Sequence, residues 1–341
     1  MRILFTGSEA ECSLERWYME HLKKDGVEAG LFPAQSIFYT YYGKSLKNKL
    51  LFKAGLSSIY RRIDVLLREE VEQFRPDVIW IFKGMEIMPS FLSWAREKNI
   101  MTVNFNPDNP FLFSGPGSGN ANVTRSIGLY DLHFSYDRAI CERIQREYKI
   151  TARVLPFGYE LTDGLYEECR RQEEIKALCF LGNPDAQRAA FIGELAAAGL
   201  PVHVYGHGWK DAIRHAGVTV NGPVYGDDFW RVLYRYRVQL NLMRPHNPQS
   251  HNMRSFEIPG VGGIGLFPDT PDHRQYFEDG KEVFIYRDTA DAGRLARLIL
   301  EMSADQAAAV RRNARQRSVS GGYSYQERIR SVLPYLQLQH A

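Results

Sequence analysis

KALCFLGNPDAQRAAFIGELAAAGLPVHVYG, residues 176–206, decides the fold. The strand-like stretch 176–181, apolar from Ala177 on, stops at Gly182, 188–198 reads as a helix, and 202–206 is a second short strand ending at Gly206. Strand, helix and strand within roughly 30 residues make a βαβ unit, whose two strands lie parallel and are buried on both faces. The alternation continues downstream: helix 229–235, strand 238–242, a helix start at 255–261, strands 263–267 and 283–286, and long helices 290–302 and 304–319. Upstream the pattern repeats. Strand 2–6 runs through Gly7-Ser8 into helix 14–24. Helix 59–74, strand 76–82, helix 89–98, strands 101–105 and 131–135 and helix 139–148 follow, and 152–159 closes that half. Two such series imply an α/β chain with two parallel sheets, each covered by helices on both faces. The charged stretch 160–174 carries no strand pattern and reads as the link between them.

With 341 residues the chain is long enough for two domains with cores of their own. Its 43 Lys+Arg against 40 Asp+Glu leave a formal charge of +3, too balanced for a general nucleic-acid footprint. Cys12, Cys141, Cys169 and Cys179 are scattered and form no CxxC pair, so neither a zinc site nor a disulfide framework is expected, and a reducing, cytoplasmic setting is. The N-terminus lacks the layout of a signal peptide, and no apolar run approaches the ~20 residues of a membrane span. Contact with a membrane surface stays open.

In open α/β sheets ligands bind beyond the carboxyl ends of the strands. Glycines stand there in Thr6-Gly7-Ser8, Leu181-Gly182-Asn183 and Tyr205-Gly206-His207-Gly208-Trp209, as turns or as places of close backbone approach. Neither GxGxxG nor GxxxxGK[ST] occurs. The densest pattern runs from Asn241 to Asp279. A polar loop with Arg244, His246, His251 and Arg254 leads into a helix start, then Gly260, Gly262 and Gly263. An arginine at a helix N-terminus suits a diphosphate, and a carboxylate one turn later, Glu257, can accept from a ribose diol. Arg254 and Glu257 could equally be an i, i+3 surface pair.

Asn252-Met253-Arg254-Ser255-Phe256-Glu257-Ile258-Pro259-Gly260-Val261-Gly262-Gly263 resembles the R-x-F-E-x-x-A-x-G segment of CgeB-like glycosyltransferases, among the group-one glycosyltransferases. Tyr276-Phe277-Glu278-Asp279-Gly280-Lys281-Glu282, Phe180-Leu181-Gly182 with Arg188, Val204-Tyr205-Gly206-His207-Gly208-Trp209 and Leu155-Pro156-Phe157-Gly158-Tyr159 are similar to further segments of that family, so the likeness spans about 155–288. It implies the GT-B architecture: two Rossmann-like domains facing a cleft, an acceptor-side domain at 1–160, a nucleotide-sugar donor domain at 161–322, and a terminal segment 323–341 whose helix, 323–338, crosses back to the first domain. It also implies transfer of a sugar from a nucleotide-diphosphate sugar to a glycan, protein or small-molecule acceptor. Glu257 would hold the ribose. Arg188 and Arg254 would face the diphosphate. Gly182, Tyr205, Gly206 and His207 would line the nucleotide pocket, and the loop with Gly262 and Gly263 would face the donor. Related retaining enzymes carry E-x7-E, whose first Glu contacts the sugar; here that position is Gln249, an amide that hydrogen-bonds but carries no charge.

No cofactor and no metal are expected beyond the donor itself, because no DxD ends a strand, and Asp227-Asp228 reads as a helix cap. Asp108, between two prolines at the carboxyl end of strand 101–105, is the candidate base, or an Asx turn. His133, inside a strand, reads as core; His246 and His251 could approach the donor or be solvated. Phe38-Tyr39-Thr40-Tyr41-Tyr42 with Lys44, Lys47, Lys49 and Lys53 could stack on a glycan, lie on an anionic surface or simply pack. A nucleotide-sugar epimerase and a non-catalytic sugar-nucleotide-binding assembly protein are the alternatives to a transferase.

Overall fold

The computed structural model describes residues 1–113, 115, 117–244 and 249–337. The chain divides into two compact units, Met1–Pro156 with Gln326–Ala341, and Phe157–Tyr325. The charged stretch after Tyr159 therefore belongs to the second unit, where it forms the helix Asp163–Arg170, capped by Thr162.

The first unit contains one six-stranded sheet: β1 (Arg2–Thr6), β2 (Glu28–Phe32), β3 (Val78–Phe82), β4 (Met101–Asn106), β5 (Leu132–Ser135) and β6 (Thr151–Val154). Its order is β2-β1-β3-β4-β5-β6 and all pairings are parallel. Side chains alternate between its faces. On one, Leu4, Ile79 and Ile81 pack with Ile63 and Leu67 of helix Ile59–Phe74 and with Phe91 and Leu92 of helix Pro89–Glu97. On the other, Phe5, Trp80, Phe82 and Tyr18 form an aromatic layer, with Phe5 and Trp80 stacked at 5.5 Å. Phe134 continues that layer to Tyr335 of the terminal helix Tyr325–Gln337. Arg330 of this helix holds Asp25 through two bonds of 2.8 Å each.

The second unit carries β7 (Ile175–Leu181), β8 (Val202–Tyr205), β9 (Val218–Asn221), β10 (Tyr236–Leu240), β11 (Gly265–Pro268) and β12 (Phe284–Tyr286). Their order is β12-β11-β10-β7-β8-β9, again all parallel. Strand succession therefore reverses at β7/β10, where an open α/β sheet leaves a crevice for a ligand. The 176–206 stretch is β7, the helix Ala186–Ala197 and β8, as its pattern predicts. Asp185 caps this helix by accepting from the Arg188 amide at 3.0 Å.

β10 begins two residues earlier than its apolar run because Arg237 is part of it. Arg237 is 2% exposed; its guanidinium bonds Glu174, which also pairs with Arg311 at 3.0 Å, and the carbonyls of Ile299 and Met302. Asp227 and Asp228 do not cap the preceding helix, Gly226–Arg235; they lie in its first turn and pair with Arg231.

Candidate functional site

The carboxyl ends of β7 and β10 bring together most of the residues that the sequence singles out. Gly182 and Gly206 follow β7 and β8 directly. A Cβ on Gly206, whose φ is 153°, would lie 2.4 Å from the Gly182 carbonyl oxygen, so the two loops touch through bare backbone. Trp209 is fully buried, edge-on to Phe180, and its indole N–H donates to the Gly182 carbonyl at 2.7 Å. The Asn183 side chain accepts from the His207 amide at 3.0 Å. These contacts fix the loop after β7. His207 itself is exposed beside Tyr225, while the Tyr205 hydroxyl bonds Tyr236 at 2.8 Å.

Arg188 spans the switch point. Its guanidinium donates to the Asn183 carbonyl at 3.1 Å and the Leu242 carbonyl at 2.8 Å, tying the loop after β7 to the loop after β10. Burial pushes its pKa down to about 10; Asp185 opposes this, and Arg244 and Arg254 add to it. Burial is the main cause of that depression, and the smaller contributions of Arg244 and Arg254 place both cations within electrostatic reach of Arg188. Arg188, Arg244, Phe191, Met243, Pro268 and Tyr286 line a concavity of about 280 Å³ at this edge.

Arg254 starts the helix Arg254–Gly260. It donates to the Leu181 carbonyl at 3.2 Å, lies over the Phe229 ring at 4.4 Å and is ion-paired to Glu257. This pair is not a solvated one: Glu257 is 4% exposed, and burial raises its carboxyl above the usual range while Arg254 opposes the rise. The amides of Ser255, Phe256 and Glu257 already bond the Asn252 and Met253 carbonyls. Attraction for an anion therefore falls on the arginine side chains rather than on free amides of this helix.

Two of the expected donor contacts are packed within protein. His251 is one of them. It is fully buried; Nε2 accepts from the Phe157 amide at 3.2 Å and Nδ1 donates to Asp272 at 2.6 Å. Burial works against the Asp272 carboxylate, but His251 and Ser250 hold its pKa below the usual range. Gly262 and Gly263 are buried too. A Cβ on the first would meet the Arg311 carbonyl at 3.3 Å, and on the second the Ile258 carbonyl at 3.0 Å, so packing on protein explains both glycines. Gln249 is exposed, and His246 lies outside the described residues.

Sequence reading missed His273, which helps to anchor the arginine loop through Ser255. Its Nδ1 donates to the Pro268 carbonyl at 2.7 Å and its Nε2 accepts from Ser255 at 2.8 Å. Ser255 also accepts from Asn241 and from the Asn252 amide. Burial lowers the His273 pKa to about 4, so the ring is neutral. Its spacing from Thr270, the N-cap that accepts from its amide, was the available signal. Arg244 was visible as the first cation after β10.

In the first unit Asp108 is held in an Asx turn by Asn106 and paired to Lys83 at 2.7 Å. Glu15 and Glu86 stand near Lys83, both buried and both raised in pKa by burial. Glu15 takes the space left by Gly7 and accepts from the Ser8 amide at 2.9 Å. His133 is core, bonded to the Ile127 carbonyl at 2.8 Å and lowered by burial to about 4. A concavity of about 760 Å³ is lined by Pro33, Tyr41, Lys44, Asn48, Ile59 and Arg62, among others. Among the described residues no three His, Cys, Asp or Glu side chains are grouped to hold a metal ion.

This geometry can be set beside known proteins. Residues 187–334 match the model of the glycosyl transferase-like family. Among solved structures, the chain is similar to sucrose-phosphate synthase from Thermosynechococcus elongatus, with TM-score 0.69, 10% identity, and 100% and 99% of the two chains covered. HepE from Anabaena in complex with UDP gives TM-score 0.64 and 11% identity over 99% of this chain and 100% of that one. The chain has the GT-B fold. A putative UDP-N-acetylglucosamine 2-epimerase from Listeria monocytogenes shares it, with TM-score 0.61 and 12% identity over 99% and 96% of the chains, so the fold alone does not choose between transfer and epimerisation. No curated protein matches.

Proposed function

We propose that this chain transfers a glycosyl group from a nucleoside-diphosphate sugar, and that the β7/β10 edge of the second unit binds the donor. The observation that carries the reading is the convergence of Arg188, Arg244 and Arg254 at that edge, with burial and mutual repulsion depressing the Arg188 pKa. Three such cations match a diphosphate better than any neutral ligand. Donor binding exchanges the Arg254–Glu257 pair for two new contacts, Arg254 to the diphosphate and Glu257 to the ribose hydroxyls. As the glycosidic bond breaks, charge builds on the departing diphosphate, and the arginines neutralise it without a metal. HepE is described with UDP and with UDP-glucose, which makes UDP the first nucleotide to try. The acceptor belongs to the first unit, where the concavity beside Tyr41 offers hydroxyl, amide and cationic groups on an apolar floor.

The finer likeness, to the CgeB-like group, rests on residues 252–263 and 276–282. Four unpaired cysteines support a reducing, cytoplasmic setting.

Calorimetry with UDP, GDP, dTDP and CDP tests the donor site. One nucleotide should bind at micromolar affinity and lose at least ten-fold in Glu257→Ala, with a matching loss of thermal stabilisation. If none binds, the proposal fails. Incubation of the donor sugar alone separates the classes: an epimerase converts it without an acceptor, and a transferase does not.

A further inference from the structure

Between Glu28 and Asp64 there is no acidic residue, whereas Lys44, Lys47, Lys49, Lys53, Arg61 and Arg62 fall there. The segment is not an unstructured basic tail. It folds into helices Ala34–Lys44 and Leu46–Lys53 and the start of Ile59–Phe74. Its inner side is well packed: Phe38 meets Phe52 at 4.9 Å and Tyr60 at 5.9 Å, and Asn48 donates to the Tyr41 carbonyl at 2.8 Å.

The outer side differs. Helix Leu46–Lys53 has no buried residue. Leu46 and Leu50, one turn apart, are 77% and 68% exposed. At 100° per residue Lys53 falls on the same face as these leucines, and Lys47 and Lys49 flank it on either side. The helix ends at Gly55, in the left-handed region at φ 71°, and the Leu56 amide bonds back to the Leu51 carbonyl at 2.9 Å. That return places Leu56, 74% exposed, beside the last turn. Tyr39 adds an aromatic ring at 56% exposure.

Exposed leucines singly are ordinary, but three on one short helical corner, framed by lysines in a stretch without any carboxylate, are a chemical pattern. The leucines require a non-aqueous partner, and the lysines require that partner to be anionic at its surface. A protein partner would have to supply both an apolar socket and a ring of carboxylates. A bilayer of anionic lipid supplies both by its construction. Among the described residues no helix is long and apolar enough to cross a membrane, so the contact is peripheral.

We infer that helix Leu46–Lys53 and the Gly55–Leu56 corner dock the first unit on an anionic lipid surface, with Leu46, Leu50 and Leu56 entering the interface and the flanking lysines facing the headgroups. The inference stands independently of the transferase reading, since it uses no residue of the donor edge.

The test is flotation of the full chain with vesicles of phosphatidylcholine containing about 30 mol% phosphatidylglycerol, against pure phosphatidylcholine, across a salt series. The chain should partition to the anionic vesicles, and binding should weaken as salt rises. Each cation near such a surface contributes roughly five-fold. Lys47→Ser with Lys53→Ser should therefore weaken partitioning about 25-fold. Leu46→Ser with Leu50→Ser should weaken it at every salt concentration, since that contribution is not screened. All four side chains are exposed, so melting temperature and nucleotide binding should not change, and this is checked on each variant. No flotation at low salt, or flotation unaffected by the leucine pair, overturns the inference. So does binding to soluble heparin that matches vesicle binding in strength and is equally insensitive to the leucines.

Discussion

His251→Ala separates a strut from a ligand contact. The ring is wholly buried, edge-on to Phe157 at 5.8 Å, Phe256 at 5.1 Å and Tyr276 at 5.6 Å. Its removal gives up roughly 2 kcal/mol of burial and packing. The Phe157 amide loses its acceptor in a dry site, about 1 kcal/mol more. Asp272 keeps Ser250 at 2.7 Å and some access to water, so its loss adds little. The sum is about 3 kcal/mol, which in a unit of this size lowers the melting temperature by roughly 6–12 °C. The assay is thermal unfolding followed by far-UV circular dichroism, beside calorimetric titration with the nucleotide that binds wild type. The variant should melt early and, below its transition, still bind within a few-fold of wild type. A variant that melts with wild type but has lost nucleotide affinity would refute the strut and return His251 to the ligand.

His133 and His273 are buried and neutral, each lowered to about 4 from 6.5. Between those values the unfolded chain binds the extra protons, so stability falls as pH drops from 6.5 toward 4, by on the order of 3 kcal/mol for each ring. Urea midpoints at pH 7, 6 and 5 should fall progressively, and His133→Asn should reduce the slope. Glu174→Ala should cost about 3 kcal/mol, because Arg237 stays buried with its charge uncompensated; Arg237→Met in the same chain should recover part of it in a denaturation cycle. Under the proposed mechanism, in which arginines rather than a metal carry the leaving-group charge, transfer activity should survive excess EDTA; a loss restored by one divalent ion would contradict it.

Much of the architecture was legible because buried parallel strands leave unbroken apolar runs: 177–181, 78–82 and 3–5 need only their composition. β2 and β9 escaped because Glu28–Phe32 and Val218–Asn221 lie at sheet edges, half-solvated and without such runs. The start of β10 was hidden by Arg237, a charge that enters a core only because Glu174 waits for it sixty-three positions upstream. The helices after Pro33 were read as an aromatic-basic patch because their apolar residues serve a shallow, partly exposed layer rather than one stripe. Arg188, Arg254 and Glu257 were singled out by type and spacing, and the fold brings the two arginines to the loops after β7 and β10. The burial of His251 was not legible, because a histidine in a polar loop looks available and only the fold shows both nitrogens engaged.

The chain leaves the first unit at Pro156 and comes back to it at Gln326. During synthesis the second unit, an unbroken stretch, is complete on emergence. The first is completed only once the helix Tyr325–Gln337 has been made, because Tyr335 of that helix packs edge-on against Phe134 of its aromatic layer. The two therefore differ as fragments. Residues 157–325 should be expressible alone as a folded piece, whereas 1–156 would emerge with Phe134 and its neighbours uncovered and should aggregate unless the terminal helix is supplied as a peptide.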